Sequence, residues 1–467
     1  MSDWTVKNLA ETIRRRAISP VEATQECLAR IARLDGRLRA FIALDAEGAL
    51  ATAKALEVEA GDGRWRGPLH GVPLAFKDLC QVSPLPTSCG TRTRDYFTAE
   101  RDCTAARRLL DAGAVALGKL NMTELAMGPF GDNAHHGHVQ NPWRAGRVSG
   151  GSSSGSGAAV AAGLCVGALG TDTGGSIRLP AACCGIAGLK PTYGRVSRAG
   201  AMPLSWSNDH IGPMARTVGD VGMLLQVIAG RDPLDATSSA RAVPDYLSGL
   251  ERSIAGLRIK TPVNFFYEGV DAEIASGVRE ALRAFEGLGA RVGDLALPDP
   301  EVMADVCNVI SRSEAVAIHG RLLRERPDDI QPVVRARLEL GFRIPAHQYL
   351  QALRLRARLT RTFVREVFSE TDLLVAPVIP EPAPRLSHAT EGAAEELAQR
   401  QGRFSRLTRP FNGWGLPALS VPCGFSRDGL PLALQIVGRP FDEATVLRAG
   451  HAYEQSTTWH RRRPSLD

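Results

Sequence analysis

Two glycine-rich loops that carry serine hydroxyls are the part of this chain best suited to chemistry. The first reads GGSSSGSG over residues 150–157, and the second reads GTDTGGSIR over residues 170–178. Glycine lets the backbone come close to a ligand and adopt conformations that other residues avoid. A serine hydroxyl can attack an electrophile or relay a proton. The two loops therefore predict a site that holds an anion or a nucleophile.

Known motifs give three interpretations of these loops. A phosphate-binding loop is disfavoured, because no Gly-Lys-Ser/Thr follows at the required spacing and no GxGxxG opens a helix after a strand. A serine hydrolase with a histidine base needs a histidine and an acid elsewhere, and none of the ten histidines stands out. The third interpretation uses lysine as the base.

Lys77 is the candidate base, and it lies in the apolar segment GVPLAFKD over residues 71–78. Burial disfavours a charged ammonium and so lowers the pKa of a lysine. The neutral amine can then accept a proton near pH 7. The alternative is that Lys77 ends a strand and simply pairs with Asp78.

Taken together, the lysine segment and the two serine loops resemble the amidase signature family. The spacings of 75 residues from Lys77 to Ser152 and of 24 residues from Ser152 to Ser176 fit that family. Similarity continues over nearly the whole chain, in GLKPTYGRVSR, DHIGPMARTVGD, LPALSVPCG and LQIVGRPFDE. Three ordered motifs at the family's spacing make a specific signal, whereas one such loop alone would not.

The resemblance implies a fold class and a domain organisation. We expect an α/β protein with one large domain over residues 1–467, in which helices cover both faces of a mixed central β-sheet. Residues 1–65 would form an N-terminal helical region, residues 66–220 the catalytic core, and residues 221–467 the rest of the sheet and the helices on the substrate side.

The resemblance also implies a role for each site residue. Ser176 would be the nucleophile, and Ser152 would bridge it to Lys77 next to a cis peptide bond in the Gly151–Ser152 region. Neutral Lys77 would take the Ser152 proton, the leaving amine would be protonated by the reverse path, and water would hydrolyse the acyl-enzyme. The oxyanion hole would consist of backbone N–H groups, those of Thr173, Gly174, Gly175 and Ser176.

Two further groups of residues lie near these motifs. By family position, Met127 and Gly128 line the substrate pocket, although core packing is an equal alternative for Met127. His135, His136 and His138 could ligate zinc, but no acidic or fourth ligand is near them in sequence. We therefore expect no metal and no cofactor.

Within the family, the sequence favours a free-standing amide hydrolase over the glutamine-hydrolysing subunit of tRNA-dependent amidotransferases. That subunit usually has an aspartate shortly before a late Thr-x-Pro-x-Asn segment, where this chain has Phe404-Ser405-Arg406. The amino group of glutamine would then lack its partner. No charge-recognition pair is visible, so both aryl and alkyl acyl groups are candidates. Because acyl transfer to Ser176 would tolerate several leaving groups, carbamates, urethanes, anilides and esters are further candidate substrates. The glutaminase subunit stays as the alternative.

Secondary-structure signals place these motifs on an α/β framework. A buried strand is predicted over residues 69–79, a helix over 118–128, and a long arginine-rich helical region over 312–370. Two late strands, ALSVPCGF and LALQIVGRPF, follow. The irregular segment 381–402 is a candidate lid over the site.

Composition limits the remaining possibilities. The net charge of +6 is spread evenly, which argues against nucleic-acid binding. The N-terminus lacks an apolar signal region and no run of about 18 apolar residues is present, so we expect a cytoplasmic protein without a membrane span. The nine cysteines are expected to be reduced. The expected partners are a small amide or carbamate substrate and, as an open option, a second copy of the chain.

Overall fold

The central feature of the computed structural model, which describes residues 4–92 and 101–466, is a mixed β-sheet. Within these two ranges the strands are β1 Phe41–Leu44, β2 Pro73–Lys77, β3 Val115–Leu120, β4 Gly167–Asp172, β5 Ala187–Lys190, β6 His210–Ala215, β7 Arg258–Pro262, β8 Arg291–Leu295, β9 Leu373–Pro377, β10 Ala418–Phe425 and β11 Pro431–Gly438. Their order in the sheet is β1-β3-β2-β4-β6-β5-β10-β11-β9-β7-β8. Strand β2 pairs in parallel with β3 and β4, whereas β10 and β11 pair antiparallel. The predicted α/β class and mixed central sheet are confirmed.

Helices surround this sheet along the described chain. They are α1 Val6–Arg14, α2 Pro20–Leu38, α3 Ala46–Gly61, α4 Thr104–Asp111, α5 Ser154–Ala161, α6 Arg178–Cys184, α7 Val218–Ile228, α8 Ala272–Gly287, α9 Pro300–Glu325, α10 Pro332–Glu339, α11 Ala346–Glu370, α12 Ser387–Thr390, α13 Ala394–Phe404, α14 Arg409–Gly413 and α15 Glu443–Ser456. Short 3₁₀ turns cover Glu124–Ala126, Pro327–Asp329, Leu340–Arg343 and Trp459–Arg461.

Local sequence explains how the N-terminal elements begin. Helix α2 starts with a capping box, in which the Ser19 hydroxyl accepts from the Glu22 N–H (3.1 Å) and the Glu22 carboxylate accepts from the Ser19 N–H (2.7 Å). These bonds satisfy two backbone donors that a helix start leaves without partners. Proline at the first helical position fits there, because its missing N–H is not needed.

Two neighbouring parallel strands position the candidate site. The register of β2 and β4 pairs Leu74 with Gly167 and Phe76 with Leu169. Because the strands run in the same direction, their carboxyl ends, Lys77 and Asp172, lie at one edge of the sheet. All residues of both strands are buried. The lysine segment and the second serine loop therefore meet at this edge, although they are distant in sequence.

The structure corrects one predicted element. Residues 118–128 do not form a helix, because Lys119 and Leu120 complete strand β3 and pair with β1 and β2. Leu125 and Ala126 then adopt positive φ angles of 50° and 59°. Such angles are incompatible with an α-helix, so only a 3₁₀ turn forms here. Sequence spacing missed this break because neither residue is glycine.

The three predicted segments of the chain all contribute strands to one sheet. Strand β1 comes from residues 1–65, strands β2–β6 come from 66–220, and the rest from 221–467, so each segment contributes to the same sheet. The boundaries themselves stay a prediction. So does a lid over residues 381–402, which contain α12 and part of α13. Across the two described ranges, no helix has the length and apolar character needed to cross a bilayer.

Candidate functional site

Lys77 lies at the last position of β2 and is fully buried. Its Nζ lies 2.7 Å from Ser152 Oγ and 2.8 Å from Thr171 Oγ1. Burial lowers the pKa of Lys77 to about 7, because desolvation penalises the ammonium. The lysine therefore has a substantial neutral fraction at neutral pH, and its nearest polar partners are hydroxyl groups.

The alternative pairing of Lys77 with Asp78 is wrong. Asp78 instead lies 3.3 Å from Lys119 Nζ, and both side chains are buried. The Asp78 carboxylate also accepts from the Ser88 N–H (3.0 Å) and from the Ser88 hydroxyl (2.5 Å). Successive side chains of an extended strand point to opposite faces, and this separates Lys77 from its sequence neighbour.

The first serine loop brings Ser152 to Lys77 and contacts the second loop. The Gly151–Ser152 peptide bond is cis, as expected. The Ser153 N–H donates to the Ser176 carbonyl (3.3 Å), which joins the two loops directly. Gly151 is required by space, since a Cβ at this position would lie 2.7 Å from the Gly128 carbonyl oxygen. The three predicted residues Lys77, Ser152 and Ser176 are thus brought into one site.

A buried ion pair holds the second loop. The Asp172 carboxylate accepts from Arg178 Nε (3.0 Å) and from the backbone N–H groups of Gly175 (2.7 Å) and Ile177 (3.2 Å). Burial alone would raise the pKa of Asp172, but the charges of Arg178 and Lys190, together with hydrogen bonds from Arg178 and Asn412, hold that pKa well below its usual range. Both side chains are inaccessible to solvent. Arg178 therefore positions the loop and does not face substrate.

One of the four predicted oxyanion donors already has a partner. The Gly175 N–H donates to the Asp172 carboxylate, so in this conformation it does not serve as the oxyanion donor that the sequence predicted. The reason is the positive φ of Gly175 (130°), which belongs to the turn closed by that carboxylate. Thr173, Gly174 and Ser176 line a cavity beside the loop, and their N–H groups remain as candidate donors.

Two cavities lie on either side of this loop. The larger, of about 360 Å³, is lined by Thr171, Thr173, Asp209 and mainly apolar side chains that include Trp206 and Leu234. The smaller, of about 70 Å³, contains Ser176 in its wall. Met127 and Gly128 line the smaller cavity, so the structure places both beside the nucleophile candidate.

Three arginines that sequence reasoning missed line the smaller cavity. They are Arg312 on α9, Arg337 on α10 and Arg409 at the start of α14. No local motif marks any of them, and 97 residues separate the first from the last. Only the packing of three helices brings them together. The sequence showed no charge-recognition pair, whereas the structure brings three arginines to this cavity.

The three histidines of the predicted loop have separate partners. His135 Nε2 lies 2.8 Å from Glu124 Oε1, and His136 Nε2 lies 2.9 Å from the Thr91 carbonyl oxygen. His138 Nδ1 accepts from the Asn133 N–H at 3.0 Å. Within residues 4–92 and 101–466, no cluster of three histidine, cysteine or carboxylate side chains suited to a metal ion is present.

Comparison with known proteins identifies the family. The sequence model of the family described as Amidase matches residues 22–447, and the chain belongs to that family. It is therefore an enzyme of the class that hydrolyses C–N bonds of amides. The solved structure of 6-aminohexanoate cyclic dimer hydrolase complexed with substrate is 28% identical, with a TM-score of 0.90 over 99% of both chains.

Relatives within the family have different functions. The glutamyl-tRNA(Gln) amidotransferase A subunit of Moorella thermoacetica is 42% identical over 99% of this chain and 98% of the relative. A chain of an inhibitor-bound protein complex, described as revealing the evolutionary origins of an s-triazine catabolic enzyme, is 34% identical, with a TM-score of 0.91 over 97% of this chain and 98% of that one. The curated relatives thus favour the amidotransferase alternative over a free-standing amidase, while the solved structures include both kinds of protein.

Proposed function

We propose that this enzyme hydrolyses carboxylic amides through a relay of Lys77, Ser152 and Ser176 and an acyl-enzyme on Ser176. The observation that carries the proposal is the buried Lys77 Nζ at 2.7 Å from Ser152 Oγ. A lysine with a pKa of about 7 can act as a general base at neutral pH. No metal or cofactor takes part in this scheme.

In the proposed reaction, each proton moves between named atoms. Lys77 Nζ accepts the proton of Ser152 Oγ, and Ser152 Oγ accepts the proton of Ser176 Oγ as that oxygen attacks the amide carbon. The oxyanion is stabilised by the N–H groups of Thr173, Gly174 and Ser176. The protons then return to the leaving nitrogen, so that the C–N bond breaks and an amine departs. Water releases the acid from Ser176 by the same relay.

A second candidate is the glutaminase subunit of a tRNA-dependent amidotransferase. The similarity to the Moorella amidotransferase protein over 98% of that protein's length supports it. The same relay would release ammonia from glutamine, and partner chains would use that ammonia. Against it stands the smaller cavity, whose lining along the described chain contains Ser405 and three arginines but no carboxylate for an α-ammonium group.

The proposal also covers other substrates, the location and the assembly of the protein. Carbamates, urethanes, anilides and esters fit the same acyl transfer, and the 360 Å³ cavity leaves room for a bulky leaving group. A cytoplasmic location is supported by the nine cysteines, all of them free thiols in the structure. The proposed assembly is a homodimer.

The relay is tested by substitution of Ser176 in the purified chain. Wild-type protein is incubated with aliphatic amides, aryl amides, carbamates and esters, and the released ammonia, amine or alcohol is measured. Ser176→Ala is expected to lose at least about 1000-fold in kcat/KM, as removal of a nucleophile does. Full activity of Ser176→Ala on these substrates would refute the mechanism.

The matched control is Ser420→Ala. Ser420 is another buried serine, on β10, and its hydroxyl has no hydrogen-bond partner in the described structure. Its removal is expected to leave kcat/KM within about two-fold of wild type. The pair therefore separates loss of a nucleophile from loss of any buried hydroxyl.

A further inference from the structure

The smaller cavity next to Ser176, which we call the arginine pocket, has an unusual charge distribution. Arg312, Arg337 and Arg409 line it, together with the neutral polar side chains of Asn308, Ser311 and Ser405. No aspartate or glutamate is present in this lining along the described chain. The pocket therefore presents three positive charges and no negative one to whatever occupies it.

The arginines lack the partners that such charges normally have. Arg337 donates to the Gln401 side-chain carbonyl (2.5 Å) and Arg409 donates to the Ser405 hydroxyl (2.5 Å), both neutral acceptors. None of the three arginines forms an ion pair within the parts of the chain that the structure describes. The carboxylates that act on them from a greater distance are Asp132 and Asp305.

The three arginines lie close enough to affect one another's pKa values. Desolvation, followed by the charges of Arg409 and Arg312, lowers the pKa of Arg337 to about 9. Desolvation likewise lowers the pKa of Arg409, with Arg312 contributing. Partly buried like charges without counterions are unfavourable, and a bound anion relieves their repulsion. The pocket is therefore suited to an anion.

The arginine pocket is the cavity that reaches the nucleophile candidate. Ser176 lies in its wall, whereas Thr171, which contacts Lys77 Nζ, lines the larger cavity. A chain attached to the carbon that Ser176 attacks can therefore reach the three arginines. The pocket volume of about 70 Å³ suits a short chain.

We propose that the substrate is an amide whose short acyl chain ends in a carboxylate, and that Arg312, Arg337 and Arg409 bind this carboxylate while Ser176 attacks the amide carbon. Monoamides of short dicarboxylic acids are the simplest members of this class. Zwitterionic glutamine is a poorer substrate, because its α-ammonium group enters a pocket of like charge. This inference rests on the proposed amide hydrolysis and specifies its substrate.

Three amides of equal chain length test the proposal. Pentanamide has no charge at its far end, glutaramate has a carboxylate there, and glutamine is glutaramate with an added α-ammonium group. We expect kcat/KM for glutaramate to exceed that for pentanamide by at least about 100-fold, since hydrogen bonds between arginine and a carboxylate are charge-assisted and stronger than neutral ones. Glutamine should fall at least about 10-fold below glutaramate. Equal or better hydrolysis of pentanamide would overturn the proposal.

Arginine variants assign the effect to the pocket. Arg409→Met and Arg337→Met should lower kcat/KM for glutaramate at least about 10-fold more than they lower kcat/KM for pentanamide. The control is Arg361→Met, because Arg361 lies on α11, is exposed and does not line the pocket. Equal loss on both substrates in the pocket variants, or the same loss in Arg361→Met, would contradict carboxylate recognition.

Binding of glutarate, the expected product, separates this proposal from the proposed function. Calorimetry should detect glutarate binding to Ser176→Ala, and Arg409→Met introduced into that background should weaken it at least about 10-fold. Binding without any amide hydrolysis by the wild type would refute the relay and support the pocket. Hydrolysis of amides without glutarate binding would refute the pocket and support the relay. Melting temperatures of all variants show whether each has folded.

Discussion

At the scale of single residues, Lys77 owes its chemistry to its surroundings. The ammonium would be stable in water, but full burial removes that solvation and lowers its pKa to about 7. Two hydroxyl groups, those of Ser152 and Thr171, replace part of the lost hydration. The carboxylate of Asp78 is turned away and pairs with Lys119. A proton acceptor at neutral pH is the result.

Thr171→Val tests how far the second hydroxyl controls the lysine. The kcat/KM of wild type should rise as pH increases through about 7, because Lys77 loses its proton there. The Thr171 hydroxyl accepts a hydrogen bond and so favours the ammonium. Its removal should move the rise in kcat/KM to lower pH and reduce the plateau by about 10-fold.

The control for this variant is Thr171→Ser, which keeps the hydroxyl. Its pH profile of kcat/KM should match that of wild type. If the rise occurs at the same pH in Thr171→Val as in wild type, Thr171 does not act through the pKa of Lys77.

At the scale of elements, the second serine loop is held at both ends and has open space beside its middle. Asp172 at the end of β4 and Arg178 at the start of α6 fix both ends of the loop through a buried ion pair. Gly174 lies between them, and a Cβ built there would have its nearest neighbour, Arg409 Nε, at 3.8 Å. The absence of a side chain at this position leaves space for substrate and is not required by packing.

Gly174→Ala should therefore affect substrate and not folding. The φ of Gly174 lies outside the positive range that disfavours other residues, so the melting temperature should change by less than about 2 °C. The added methyl group narrows the arginine pocket and should lower kcat/KM by at least about 10-fold. Steady-state kinetics and thermal unfolding measure both quantities. A large fall in melting temperature would contradict this account of the glycine.

Helices α7 and α15 are joined by a buried carboxyl group that makes stability depend on pH. Glu454 accepts from the Val218 N–H at 2.9 Å and is 5% exposed. Burial raises its pKa from 4.5 to about 8, and nearby Asp220 adds to the increase. Between these two values the folded protein retains a proton that the unfolded chain has released. The free energy of unfolding should therefore fall as pH rises from about 4.5 to 8.

Glu454→Gln should remove this contribution to the pH dependence. The amide oxygen can still accept from Val218 but does not ionise, so the variant should gain stability relative to wild type between pH 5 and pH 9. Urea unfolding at the two pH values measures the difference. Glu57→Gln, an exposed position on α3, serves as the control and should show no such gain. An equal difference at both pH values would exclude Glu454 as the source.

At the scale of the whole molecule, one sheet organises a site from distant parts of the chain. Lys77 comes from β2, Ser152 from the loop before α5, and Ser176 from the loop between β4 and α6. Helices α9, α10 and α14 then contribute the three arginines that line the cavity beside Ser176. The amidase-family relatives, among them an amidotransferase subunit and a cyclic dimer hydrolase, align along almost the full chain.

The purified chain alone should contain everything that amide hydrolysis needs. All groups of the proposed relay and of the arginine pocket belong to one chain. Size-exclusion chromatography of protein expressed alone should give one peak in which amidase activity coincides with protein. Activity that appears only after addition of partner chains would instead support the amidotransferase alternative. The elution volume of the peak tests the proposed homodimer.

The sequence by itself determined the family, the fold class and the three residues of the proposed relay. It could do so because Lys77 and the two serine loops are local motifs whose order and spacing are specific. The strand within residues 69–79 and the two late strands were also predictable, since such apolar segments have few alternatives to burial. The break at Leu125 was not, because its positive φ depends on contacts made outside the segment.

Only the tertiary structure decided what surrounds the relay. It showed that Lys77 faces two hydroxyl groups and not Asp78, and that the Gly175 N–H is engaged by Asp172. It also brought together Arg312, Arg337 and Arg409, which no sequence spacing links. The physical reason is that a pKa or a binding pocket depends on distances through space. The sequence identifies the groups that can react, and the packing of the helices around the sheet determines which charges they meet.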